Sequence, residues 1–253
     1  MPRNRQSTSP RVIAHRGASA DYPENTRSAF DAAVAVGAAG IELDLQLTRD
    51  GEAIVYHDSS LEKAGKPRKT VADYNARDLQ RLDVGKWFSS QFKAERMLSL
   101  SAVLTRYAKK ASLLLEIKSD ERKQERDHQL AEIVVKEVRK RRLGKHVYIL
   151  SFSLPVLETV HRLDPKLRCV LNMRKRPRMT QGWLKQHAFL HALSINVRSL
   201  TPVFAGKAHG HGFRVMTYTS NNRKQVDLAI ASVVDVLMTD RPGWVLGYLE
   251  SGA

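Results

Sequence analysis

The sequence predicts an α/β protein built as a single closed (β/α)8 barrel of the TIM type. Three observations predict it. Short strand-like runs alternate with longer helical runs along nearly the whole chain, which implies a parallel sheet with helical crossovers. There are about eight such pairs in 253 residues, and a chain of roughly 250 residues is typical of one such barrel. Neither a G-x-G-x-x-G nor a G-x-x-x-x-G-K-[ST] loop follows any strand-like run, so the fingerprints of the common nucleotide-binding open sheets are missing.

Residues 11–17 form the first predicted strand. Residues 23–37 follow as a predicted helix, with Pro23 at its start, Ala and Val at helical spacing and Gly37 at its end. Residues 40–48 (GIELDLQLT) alternate strictly: Ile41, Leu43, Leu45 and Leu47 share one face, and Glu42, Asp44 and Gln46 the other. Residues 53–57 make a further short extended run. From Asp58 to about Leu98 the rhythm breaks. This polar stretch, with Gly65, Pro67 and Gly85, is expected to be a small insertion above the barrel. The alternation then resumes with a helix at 99–110, a strand at 112–118 (SLLLEIK), a long helix at 126–143 stopped by Gly144, a strand at 146–152, a helix at 154–164 and a strand at 167–173. A weak helix at 180–187 and a strand at 192–197 come next. Residues 200–212 carry no clear pattern. A strand at 213–218, a helix at 222–232, a strand at 234–238 and a closing helix at 243–249 complete the series.

Lys and Arg number 42 against 26 Asp and Glu, a formal net charge of +16. That excess favours anionic partners: a phosphorylated small molecule, an anionic membrane face or nucleic acid. Part of it lies on predicted helix surface, at Lys136, Arg139, Lys140, Arg141 and Arg142, where solvation is the usual role. No uninterrupted apolar run approaches the roughly 20 residues of a membrane span. Residues 1–10 are polar and basic, have no apolar core like that of a secretory signal, and are expected to be a flexible tail ahead of one domain at 11–253. Cys169 is the lone cysteine, so no intrachain disulfide can form, and its strand-like setting suits a buried structural thiol. These features together point to the cytoplasm.

A barrel of this kind carries its chemistry at the C-terminal ends of its strands, and the polar residues fall there. His15 and Arg16 end the first strand, Glu42 and Asp44 lie on the second, His57 and Asp58 end the short run after it, and Glu116 and Lys118 end SLLLEIK. Glu42 and Asp44 are two apart on a strand, so their side chains point the same way. With Glu116 they would repel one another unless a cation sat between them, and oxygen ligands suit Mg2+ or Ca2+. The alternative is that E-x-D and E-x-K are solvated strand faces; their joint placement at one end of apolar strands favours one divalent metal site. His15 and His57 could divide the work of acid and base, since histidine exchanges protons near neutral pH. Arg16 and Lys118 would hold a phosphate.

These residues resemble the glycerophosphodiester phosphodiesterases, in the short cytosolic bacterial form. The resemblance rests on H-R-G at 15–17, P-E-N-T at 23–26, E-x-D at 42–44, T-x-D-G at 48–51, H-D at 57–58, E-x-K at 116–118, S-F at 151–152 and T-D-R-P at 239–242, in order over residues 12–249. It implies a TIM barrel with a small insertion after H-D, and a divalent metal held by Glu42, Asp44 and Glu116. It implies His15 and His57 as the acid–base pair, Arg16 and Lys118 on the phosphate, and Glu24, Asn25 and Phe152 in the cluster around them. The products would be sn-glycerol 3-phosphate and an alcohol. The chain departs from the family in two strands: Met216 stands where an aromatic residue is usual, and Val233-Val234-Asp235-Val236 replaces a Gly-Val-Asp-Gly run. The loop Arg174-Lys175-Arg176-Pro177-Arg178 is unusually basic and points to a more anionic substrate or a lipid surface.

The expected partner is thus a small phosphodiester, not nucleic acid, with peripheral contact to an anionic membrane left open. The rival functions are a lysophospholipase D, whose acyl groove could come from Trp87, Phe88 and Phe92, and a non-enzymatic anion-binding barrel. The order of proton transfers, the head group and the oligomeric state have no signature in the sequence.

Overall fold

The computed structural model describes residues 9–120 and 124–252. Among these, nine strands form one sheet: β1 (Arg11–His15), β2 (Gly40–Leu47), β3 (Ala53–Val55), β4 (Ser112–Ile117), β5 (Val147–Ser151), β6 (Arg168–Met173), β7 (Ala192–Asn196), β8 (Arg214–Tyr218) and β9 (Val236–Thr239). Eight run parallel in the order β1-β9-β8-β7-β6-β5-β4-β2, and the pairing of β1 with β2 closes the ring. The ninth, β3, lies antiparallel on the end of β2. The helices are α1 (Arg27–Ala35), α2 (Ala76–Leu79), α3 (Leu100–Tyr107), α4 (Gln124–Lys140), α5 (Leu154–Leu163), α6 (Gln181–Gln186), α7 (Pro202–Gly210), α8 (Arg223–Ala231) and α9 (Pro242–Glu250). The predicted TIM barrel is the observed architecture. No helix of the described residues is long and apolar enough to cross a membrane.

The two faces of the strands build two cores. Outward residues such as Ile41, Leu43, Leu113, Leu115 and Val215 pack under the helices with Phe30, Val103 and Val134. Inward residues such as Ile13, Leu114, Leu150, Val170 and Met238 fill the lumen, so the barrel is a packed body with its polar groups at one end. Gly40 shows how tight this packing is. A Cβ there would stand 2.6 Å from the Ser112 carbonyl oxygen and 2.7 Å from Ile13 Cδ1. Helix starts are marked locally: Thr26, Ser99, Thr180, Thr201 and Asn222 each accept a hydrogen bond from the backbone N–H three residues on.

Several boundaries differ from the sequence expectation. Helix α1 begins at Arg27 rather than at Pro23, because Thr26 is its cap and Asn25 before it takes a left-handed φ of 60°. The chain leaves α4 through Arg142, at φ 56°, two residues before Gly144. Residues 202–210 form a helix within a stretch that carries no clear sequence pattern. Thr201 and Pro202 start it, but its apolar residues are not gathered on one face, so helical periodicity had nothing to report. Of the expected flexible tail, residues 1–8 lie outside the described residues, and Pro10 is already buried. Residues 58–98 contain short 3-10 turns at Glu62–Ala64, Val71–Asp73 and Ser90–Phe92 together with α2. They pack around their own apolar cluster of Leu61, Val71, Leu79, Val84 and Met97, tied to the barrel through Ile54 and Tyr56.

Phe30 of α1 is fully buried and meets the Tyr107 ring edge-on, with centroids 5.5 Å apart. Phe30→Ala is expected to lower the unfolding free energy by about 3–5 kcal/mol, measured as a shift of the urea transition midpoint.

Candidate active site

Strand alternation and register decide which side chains meet. In β2, Glu42 and Asp44 point into the lumen while their apolar neighbours face the helices. Parallel pairing sets His15 of β1 beside Glu42, and Asp44 beside Glu116 of β4. Glu42, Asp44 and Glu116 are all buried, with ligand oxygens within 4.8 Å of one another.

Two cations lie against this cluster. Lys118 Nζ is 2.9 Å from Glu116 Oε1 and 3.1 Å from Asp44 Oδ1. Arg16 Nη1 is 3.1 Å from Glu24 Oε2, and its Nε is 3.2 Å from Asp44 Oδ2. Asn25 donates to Asp44 Oδ2 at 2.9 Å, and Asn172 Nδ2 donates to Glu116 Oε2 at 2.9 Å. Glu42 accepts from the Arg16 backbone N–H at 3.0 Å. This contact requires the chain to turn sharply after β1, and Arg16 and Gly17 both adopt left-handed φ values, 56° and 85°. Gly17 also has no room for a Cβ, which would lie 2.7 Å from the Ala29 backbone.

The charges divide unequally. Burial raises the Asp44 pKa, but Lys118 and Arg16 outweigh it and hold Asp44 well below the usual carboxylate range. Burial also raises Glu42, and the neighbouring Asp44 charge adds to it, so Glu42 titrates well above that range. Burial lowers the Lys118 pKa, yet the charges of Asp44 and Glu116 leave it raised.

Each histidine has a carboxylate behind it. His15 Nδ1 is 2.7 Å from Asp240 Oδ1, and His57 Nδ1 is 2.7 Å from Asp58 Oδ1. The aspartate orients the ring and leaves Nε2 as the nitrogen that can exchange a proton. His15 Nε2 is 3.9 Å from Glu42 Oε2. Asp240 is held in turn: its backbone N–H donates to Asn221 Oδ1 at 2.9 Å, Asn221 Nδ2 donates to its carboxylate, and Ser19 Oγ is 3.1 Å from Oδ1. Gln46 Nε2 donates to the carbonyls of Tyr56 and Asp58, at 2.8 and 2.9 Å, bracketing His57. Lys63, from the insertion, joins Glu24 Oε1 at 2.9 Å to Asp58 Oδ2 at 3.0 Å. A second acidic group, Glu24, His57 and Asp58, therefore already has its cation.

One cavity of about 540 Å3 takes in His15, Arg16, Glu42, His57, Glu116 and Lys118. Phe152 lines it too, with the Tyr218 ring edge-on at 6.1 Å. Of the residues expected from sequence, Asp44, Glu24 and Asn25 lie behind the lining and bind the groups that form it. Motif reading assigned no role to Asp240, Asn172, Lys63 or Tyr218. Asp240 stands inside T-D-R-P and Asn172 is a polar residue in an apolar strand, the two signals available. Trp87, Phe88 and Phe92 pack against one another and, through Phe92, against the barrel loop after β1. Their rings stack edge-on at 5.6 and 5.7 Å, Phe92 packs on Tyr22, and Lys63 Nζ sits 4.5 Å over Trp87. Cys169 is buried, and burial pushes its thiol up to about 12, as befits a structural residue.

Burial of His15 lowers its pKa, but the hydrogen bond to Asp240 and the charge of Glu42 leave it raised above 6.5. A raised histidine stabilises the fold in full below the unfolded value of 6.5 and loses that contribution as pH rises through the higher folded value. Asp240→Asn is therefore expected to lower the His15 midpoint in an NMR titration and to lower the thermal midpoint more at pH 5.5 than at pH 8.

The glycerophosphoryl diester phosphodiesterase family model matches residues 15–244. A glycerophosphodiester phosphodiesterase of Bacillus subtilis strain 168 is 30% identical over 247 residues, covering 91% of this chain and 83% of its own. The crystal structure of a glycerophosphodiester phosphodiesterase from Parabacteroides distasonis superposes with a TM-score of 0.81 at 25% identity, covering 97% of this chain and 99% of that one. An Oleispira antarctica phosphodiesterase, solved with the product sn-glycerol-3-phosphate, has the same fold, with a TM-score of 0.83 at 22% identity over 96% of this chain and 97% of its own. The motifs, the barrel and these matches agree over nearly the whole length, and the chain belongs to the glycerophosphoryl diester phosphodiesterase family.

Proposed function

We propose that this protein hydrolyses glycerophosphodiesters to sn-glycerol 3-phosphate and an alcohol, using a divalent cation, Mg2+ or Ca2+, and His15 and His57 as acid and base. The observation that carries the proposal is the pairing of two aspartate-backed histidines with a buried three-carboxylate cluster around one cavity. A protein that only bound anions would need the cations but not the acid–base pair.

The donor set fits a hard divalent ion. Glu42, Asp44 and Glu116 offer carboxylate oxygens only, from buried positions within 4.8 Å of one another. Lys118 contacts Asp44 and Glu116 but not Glu42, whose pKa burial and the charge of Asp44 push up. A cation held there would act as a Lewis acid toward a phosphoryl oxygen. Arg16 and Lys118 would hold and neutralise the phosphate. One histidine would take the proton of the attacking oxygen at Nε2 while the other protonates the leaving alkoxide. Asp58 and Asp240 would keep both rings aimed and stabilise the imidazolium that forms. Asn172 Oδ1 is buried and has no partner among the described residues, so it offers an acceptor to a substrate hydroxyl.

The test is hydrolysis of glycerophosphocholine followed by release of glycerol 3-phosphate. Activity is expected with Mg2+ or Ca2+, to vanish in EDTA, and to return on adding metal back. His57→Gln and His15→Gln are each expected to lower kcat by about 10²–10⁴-fold. A folded protein that cleaves no glycerophosphodiester with either metal would overturn the proposal.

A further inference from the structure

The cavity has a second charged side that the hydrolytic chemistry does not use. Arg174 follows β6, and β6 stands four strands from β1 in either direction around the ring. Its side chain therefore lines the cavity across the mouth from His15 and Arg16. The three cations of the lining differ in their partners. Arg16 and Lys118 each contact two carboxylates. Arg174 has no carboxylate partner among the described residues. Its guanidinium rests 5.0 Å over the Phe152 ring, a stacking that leaves the N–H edge free for a planar anion.

The backbone under Arg174 is anchored, since the Ser199 hydroxyl donates to its carbonyl at 2.8 Å. Farther out the same loop stays basic. Arg176 and Arg178, with Lys207, line an adjoining cavity of about 380 Å3 whose lining contains no carboxylate. Arg176 Nη1 donates to Thr201 Oγ1 at 3.3 Å, which ties the loop to the start of α7. This rim of the mouth thus presents one sign of charge, the arrangement that concentrates anions.

We propose that Arg174 is a specificity residue, which recognises a second anionic group on the arm of the diester that crosses the mouth, so that phosphorylated or carboxylated alcohols are preferred over uncharged ones. The proposal rests on the hydrolytic function of the same pocket. A substrate whose reacting phosphate lies among Arg16, Lys118 and the carboxylates extends one arm toward β6, where Arg174 is the cation without a counter-charge.

The matched probes are glycerophosphoglycerol and the same diester bearing a terminal phosphate, compared by kcat/KM at low and high ionic strength. The wild-type protein is expected to prefer the phosphorylated probe, chiefly through KM, and to lose much of that preference in high salt. Arg174→Gln is expected to cut the preference about tenfold, the scale of one charge-assisted hydrogen bond, and Arg174→Lys to restore part of it. Equal kcat/KM for the two probes in the wild type, or an undiminished preference in Arg174→Gln, overturns the assignment of Arg174 while leaving the hydrolase function intact. Failure to cleave either probe or glycerophosphocholine would instead overturn the function on which it rests.

Discussion

Three carboxylates share the end of the barrel lumen, and the rest of the mouth is arranged around them. Two like charges 4 Å apart cost roughly 4 kcal/mol at an effective dielectric near 20, and here three groups are also removed from water. The fold answers with Lys118 between Asp44 and Glu116, Arg16 between Asp44 and Glu24, and the Arg16 backbone N–H on Glu42. The sharp turn through Arg16 and Gly17 is part of that answer, since it brings the N–H to the carboxylate. What is left least compensated is the negative charge of the Glu42 carboxylate, which Lys118 does not reach and beside which a hard cation would be welcome.

The two histidines depend on aspartates obtained in opposite ways. Asp58 is the next residue in the chain, while Asp240 is 225 residues from His15 and arrives only because β9 pairs with β1 when the barrel closes. Asn221 and Ser19 then fix Asp240 in place. The insertion contributes as well. Lys63 joins Glu24 to Asp58, so a segment that reads as a polar excursion is tied into the electrostatics beside His57.

The mouth is electrostatically lopsided. Around β1, β2 and β4, acids and bases alternate within hydrogen-bond reach of one another. Around β6 and the start of α7, Arg174, Arg176, Arg178 and Lys207 make no ion pair with an acid among the described residues. The net charge of +16 is therefore not spread evenly over solvated helix surface. Part of it borders the place where an anionic substrate would enter, and a positive rim accelerates the capture of such a molecule.

The sequence by itself determined the class of fold and most of the residues that gather at its mouth. Strict alternation in 40–48 assigns Glu42 and Asp44 to the polar face of an apolar strand, Glu116 ends the apolar run at 112–118, and barrel logic assigns strand ends to one rim. Where the signal was periodicity, it worked. Where it was absent, as in α7 with its apolar residues on all sides, the element went unread. Local backbone conformation was also invisible, so the left-handed Asn25 and the cap at Thr26 shortened a helix that composition had extended to Pro23. Only the tertiary structure decided the partners: Asp240 behind His15, Asn172 on Glu116, Lys63 on Glu24, and Arg174 on the Phe152 ring with no carboxylate partner among the described residues. Pattern records which face of a strand or helix a residue occupies. Contacts between residues tens to hundreds of positions apart are set by strand register, ring closure and the packing of the insertion, which no local pattern encodes.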